Sequence, residues 1–195
     1  MSLPTYVLGS GWWCSESQSP IDGERKFLGD NVIRSKDFHR LWYQSVDRFT
    51  KPEKIFIVDS CSPVKPLLDE NDSRLEFVSL TTNSGHATEC SGKFCGWTKS
   101  VLLSLYYAVM SDVDYYVYVE QDVLLYGEGI VEHCIAHMKR PFMFGGGEGT
   151  PQPLQQSFFV VDLRGAENFV ENLHRILESD RHVSTEKKFC LVCME

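Results

Sequence analysis

Glu120 and Asp122 stand two residues apart, just beyond the run Asp114-Tyr-Tyr-Val-Tyr-Val119. In an extended chain, residues i and i+2 point to the same side. If that geometry continues past Val119, the two carboxylates converge on one spot. Acids at the end of a buried strand are costly unless something positive joins them. A divalent cation is the natural occupant, because hard cations take carboxylate oxygens and often bridge to substrate phosphates. The alternative is a strand that simply runs out into a solvated acidic turn.

Other residues invite chemistry. Lys99 falls in the first turn of an expected helix, where the helix N-terminus and a mobile ammonium both favour an anion. His133 and His137 are spaced i, i+4, which can hold a metal, but the glutamate of an HExxH motif is missing and a solvated two-His face fits as well. Cys190-Leu-Val-Cys193 has CxxC spacing, with Cys90 and Cys95 the one available second half of a zinc site. The other reading is small hydrophobes in a terminal strand. Gly9-Ser10-Gly11 fails as a dinucleotide fingerprint, since its third glycine position is Cys14. Gly145 to Gly149 lacks the Lys-Ser/Thr of a phosphate-binding loop.

The elements that must position these groups follow from pattern. Thr5 to Leu8 reads as a strand closed by a Gly9-Ser10-Gly11 loop. Residues 15 to 36 read as a long polar surface excursion. Asp37 to Phe49 has helical spacing, with Asp37 a plausible N-cap. Ile55 to Val58 is a second buried strand, ending in Asp59, and Leu75 to Leu80 a third. Thr98 to Met110 is a strong helix. Tyr115 to Val119 is β-branched and aromatic without Gly or Pro, so it reads as a strand buried on both faces. Gly127 to Lys139 is a helix, Phe142 to Phe144 a short strand, Ser157 to Val161 another, and Gly165 to Leu177 a helix. Ser184-Thr185-Glu186 opens a short helix running into a final strand at Phe189. The alternation predicts a three-layer α/β/α sandwich with a mostly parallel central sheet. Ligands bind such sheets at the carboxyl ends of strands, where Gly9 to Trp13, Asp59 and Glu120 to Asp122 all fall.

A buried strand ending in acid-x-acid, here Glu120-Gln121-Asp122, resembles the signature of GT-A-type, nucleotide-sugar-dependent glycosyltransferases. The final Asp is kept and the first position is Glu, a departure from the family's Asp. The resemblance implies a single GT-A-like domain over residues 1 to 195. It implies Mn²⁺ or Mg²⁺ held by Asp122, helped by Glu120, with Gln121 beside the donor. It places the loop Gly9, Ser10 and Gly11 at the nucleotide base, with Trp12 and Trp13 available for stacking. Asp59 would contact the nucleoside, and Lys99 would start the helix facing the sugar nucleotide. Glu186, an acid at a helix start near the C-terminal end, matches the family's catalytic base position. Asp180 and Glu148 stand in reserve. Family members commonly carry a further C-terminal segment with a late His for the metal; here His182 is the only nearby His, so the resemblance implies that such a segment is missing or that the chain is a minimal version. The donor would be UDP-, GDP- or dTDP-linked and the acceptor a glycan or other hydroxyl.

Composition narrows the class. The chain has 195 residues, with 43% hydrophobic and 24% charged, which suits one globular domain. A formal net charge of −8 argues against a general nucleic-acid binder. No apolar run is long enough for a transmembrane helix. With no secretion signal evident, the seven cysteines read as reduced thiols in a cytoplasmic protein. Two other readings remain open. A sugar-phosphate nucleotidyltransferase would need a basic, Gly-rich loop after the first strand, and Gly9 to Ser19 carries no basic residue. A non-catalytic nucleotide- or carbohydrate-binding domain would keep Asp59 and the aromatics without needing Asp122.

Overall fold

The computed structural model describes residues 3–15, 21–22, 25–26 and 30–194. Strands β1 (Tyr6–Trp12), β4 (Lys54–Asp59), β5 (Leu75–Ser79), β6 (Tyr115–Val119), β7 (Phe142–Gly146) and β8 (Leu154–Asp162) form one sheet in the order β5-β4-β1-β6-β8-β7. The β5–β4, β4–β1 and β1–β6 pairs are parallel, and β8 runs antiparallel to both β6 and β7. Two-residue strands β2 (Ile21–Asp22) and β3 (Arg25–Lys26) pair separately. The rest of the excursion expected over residues 15 to 36 lies largely outside the described residues, apart from a 3₁₀ turn at Asn31–Arg34.

Helices cover both faces because the central strands alternate between two apolar cores. Val7, Phe56, Val58, Tyr116 and Tyr118 join residues of α2 (Gly96–Val109), α4 (Ala166–Arg175) and α5 (Thr185–Met194) on one side. Tyr6, Leu8, Ile55, Ile57 and Val117 join α1 (Lys36–Phe49) and α3 (Ile130–His137) on the other. The α/β architecture with a mostly parallel six-stranded sheet therefore matches the expectation from pattern.

Three local readings need correction. Gly9-Ser10-Gly11 is not a loop: β1 continues through it, and Gly9 pairs with Phe56 and Tyr118. Its glycines serve packing. A Cβ on Gly9 would sit 2.5 Å from Ser104 Oγ and 2.6 Å from Tyr116 Oη, and one on Gly11 would sit 2.8 Å from Ser100 Oγ. The bare backbone lets α2 press onto the sheet, where Ser104 and Tyr116 hydrogen-bond at 2.7 Å and Ser100 and Tyr118 at 3.1 Å. The N-cap of α1 is Ser35, whose Oγ accepts from Phe38 N–H, and Asp37 sits in the first turn instead. The final strand expected from Phe189 is helix, since α5 runs on to Met194 with Phe189 and Val192 buried toward the core.

Candidate functional site

The order of the sheet fixes where a ligand would bind. From β1 the chain crosses by α1 to β4 and then reaches β5. It returns by α2, on the opposite face, to β6 on the other side of β1. Strand order reverses between β1 and β6, and in open α/β sheets the crevice beyond the carboxyl ends at that reversal is the ligand site. Trp12-Trp13 and Glu120-Gln121-Asp122 lie there.

Glu120 keeps one tie to the sheet, its N–H donating to Ser157 O at 2.9 Å. The chain then turns, with Val123 N–H returning to Glu120 O at 3.1 Å. The extended geometry that would align Glu120 and Asp122 therefore stops at Glu120, and the turn brings Asp122 near it instead. Gln121 is spent as a clamp. Its Oε1 accepts from Trp13 N–H at 2.7 Å and its Nε2 donates to Trp13 O at 3.0 Å, which extends the β1–β6 pairing past the sheet edge. These two bonds fix the Gln121 side chain against β1 and leave one amide N–H to spare.

Electrostatics mark Glu120. Its carboxyl is pushed from 4.5 up to about 7, first by burial, then by Asp122, with Glu186 adding to the rise. Hydrogen bonding toward Ser157 and Trp97 opposes this only in part. The Trp97 indole packs on Tyr118 and Phe189, and its buried N–H has no completed hydrogen bond among the described residues. Acids from two distant segments, Asp122 and Glu186, thus both act on Glu120 at the crevice. Trp97 and Ser157 were not foreseen. Strand pairing and a helix start bring them in, and neither leaves a motif. A bulge between Phe144 and Gly145 shifts the β7–β8 register beside Ser157, the kind of irregularity that re-aims side chains near sites.

Glu186 sits in the first turn of α5, its Oε2 accepting from Thr185 Oγ1 at 3.3 Å. Gln156 Nε2 donates to Thr185 Oγ1 at 3.0 Å, tying α5 to the start of β8. Deeper in the helix, Lys188 and Asp180 form an ion pair at 2.7 Å with both side chains fully buried. The second Asp180 oxygen accepts from Cys95 N–H and Thr98 Oγ1, each at 2.7 Å. Asp180 is therefore a distant cap for α2, which has no side-chain cap of its own. It is sealed from solvent and fully partnered, so it does not serve as a reserve base.

The remaining candidates separate. Asp59 is buried at the end of β4, where it accepts from Ser62 N–H at 2.9 Å and pairs with Lys65. That is the behaviour of a turn-closing acid. Lys99 does begin α2, but its Nζ donates to Ser84 Oγ at 2.5 Å. Gly9, Ser10 and Gly11 lie within β1. Trp12 is a core residue, its indole N–H donating to Val64 O at 2.9 Å, whereas Trp13 stays partly exposed. Glu148 is exposed in the loop after β7. His182 meets Ser179 Oγ at 3.2 Å.

A Mn²⁺ or Mg²⁺ ion fits this site only in a particular way. Among the described residues, no three His, Cys, Asp or Glu side chains converge closely enough to hold a metal by themselves. Glu120 and Asp122 offer a two-carboxylate footing, which suits an ion that completes its shell with water and substrate phosphate oxygens. A separate cleft of about 700 Å³ opens at the amino end of β6, lined by Asp114, Tyr115, Glu132, Asp162 and Arg164 among others. Its size is larger than its chemistry: Arg164 already pairs with Asp162 there. No helix of the described residues is long and apolar enough to cross a membrane. Comparison of the chain with protein-family models and with curated proteins finds no match.

Proposed function

We propose that the chain is a metal-dependent glycosyltransferase of GT-A type, moving a sugar from a nucleotide-diphosphate donor to a hydroxyl of a glycan or similar acceptor. The observation that carries this reading is the Glu120 carboxyl at the reversal point of the sheet, pushed up to about 7 first by burial and further by Asp122 and Glu186. Such a spot favours a cation bound jointly with donor phosphates. Asp122 and Glu120 would hold it. When bound, the metal would neutralise charge on the departing nucleoside diphosphate. Trp13, partly exposed beside the clamp, is left as the aromatic for the nucleoside or sugar. Glu186 would accept the acceptor hydroxyl's proton in an inverting transfer. Asp59 contributes by holding the turn after β4, since Lys65 and Ser62 already occupy its carboxylate.

The test is equilibrium binding of UDP, GDP and dTDP with and without Mn²⁺, in the wild type and in Asp122→Asn. The wild type should bind one of the three in a Mn²⁺-dependent manner, and the variant should lose that dependence while remaining folded. Equal Mn²⁺-dependent affinity in both proteins would remove Asp122 from the site. Absence of any nucleotide binding by the wild type would sink the glycosyltransferase reading.

A further inference from the structure

Helix α3 carries a pair of adjacent histidines, away from the carboxylates. Its inward face is set by Val131, buried in the core, with Ile130, Cys134, Ile135 and Met138 packed around it. That phase turns His133 and His137 outward, and both are exposed. Residues i and i+4 on a helix lie one above the other. The two imidazoles do so here, with ring centroids 4.2 Å apart and planes 34° apart. The Nδ1 of His137 lies 2.8 Å from the His133 carbonyl oxygen. A carbonyl only accepts, so Nδ1 carries the proton and the lone pair is left on Nε2, facing outward. A ligating histidine almost always donates its other N–H to a carbonyl, carboxylate or water, which fixes tautomer and ring orientation. His137 has that preparation before any metal arrives. The His133 ring packs on the His137 ring and makes no hydrogen bond among the described residues.

We propose that His133 and His137 form a two-imidazole chelate for a borderline divalent transition metal of the Cu²⁺, Ni²⁺ or Zn²⁺ class. Imidazole nitrogen suits these ions, whereas Mg²⁺ and Mn²⁺ prefer oxygen. No third His, Cys, Asp or Glu completes the set among the described residues, so water fills the other positions and the ion exchanges readily. Two kinds of cation site thus stand on the elements either side of one loop. Glu120 and Asp122 close β6 with hard oxygen donors, and α3 presents nitrogen donors. Bound metal would clip the last turn of an eight-residue helix, and binding to the folded state alone raises apparent stability.

Ni²⁺ titration of the full chain, followed by the histidine ring signals in ¹H–¹³C spectra, tests this. The rings of His133 and His137 should broaden together and first, at sub-stoichiometric metal, ahead of His39, His86, His174 and His182. Excess Mg²⁺ should leave the effect intact. His133→Gln and His137→Gln, both solvent-facing changes, should each weaken Ni²⁺ binding. Loss of a group that merely hydrogen-bonds a ligand costs about 10–100-fold in metal affinity, and loss of a ligand should cost at least as much. The rise in melting temperature with Ni²⁺ should vanish in both variants. Wild-type affinity in either variant overturns the chelate, and so does simultaneous broadening of every exposed histidine. Failure of nucleotide binding at Asp122 bears on none of these readings.

Discussion

Glu120 gives a signed pH prediction. Its carboxyl titrates at about 7 in the folded protein against 4.5 for an ordinary glutamate. Burial is the main cause, Asp122 and Glu186 raise the value further, and Ser157 and Trp97 lower it. Between pH 4.5 and about 7 the folded chain holds a proton that the unfolded chain has released. Stability therefore falls as pH rises through that window. Each pH unit is worth about 1.4 kcal/mol, so the ionised carboxylate would cost the fold on the order of 3 kcal/mol above the window. Glu120 is partly exposed, and solvent screening reduces this to roughly 1–2 kcal/mol. Glu120→Gln keeps the shape and removes the charge. Urea unfolding of both proteins on either side of the window should show the variant gaining about 1–2 kcal/mol on the wild type as pH rises. Other titrating groups are common to both and cancel in the difference. A difference that stays flat across the window would refute the electrostatic reading of the crevice.

Gly9→Ala should cost about 1–3 kcal/mol by overpacking against Ser104 and Tyr116, read as a lower urea midpoint. Gly146→Ala, where an added Cβ meets nothing within 4 Å, is the control. Lys188→Met should cost about 3–5 kcal/mol because it leaves the buried Asp180 charge alone; adding Asp180→Asn should recover part of that loss. Glu186→Gln should slow transfer by about 10²–10⁴-fold with donor affinity kept, measured by single-turnover kinetics beside a binding curve. A wild-type rate would move the base to Glu148 or point to a mechanism without one.

Much of the frame is written locally. Tyr115 to Val119 and Ile55 to Val58 are strands because β-branched and aromatic runs without Gly or Pro have few other options. The helix ending at Phe49 is legible from its 3.6-residue period. The acids Glu120 and Asp122 stand out because they end an apolar run abruptly, and that placement predicted the crevice end of β6. The local signals failed where two explanations share one pattern. Glycines after a short apolar run read as a loop, but Gly9 and Gly11 are bare so that α2 can approach. Cys190 to Met194 is apolar enough for a strand, and Phe189 and Val192, three residues apart, face the core as a helix instead.

What the sequence determined by itself is the class of fold and one pair of acids, because hydrophobic period and strand termini are properties of neighbouring residues. The tertiary structure decided which acids act together. Asp180, Asp59 and Glu186 look alike in the chain. Asp180 is neutralised by Lys188 and Asp59 by Lys65, whereas Glu186 is left close enough to Glu120 to raise its carboxyl. Charge–charge energy depends on separation in space and on burial, and neither follows from position along the chain.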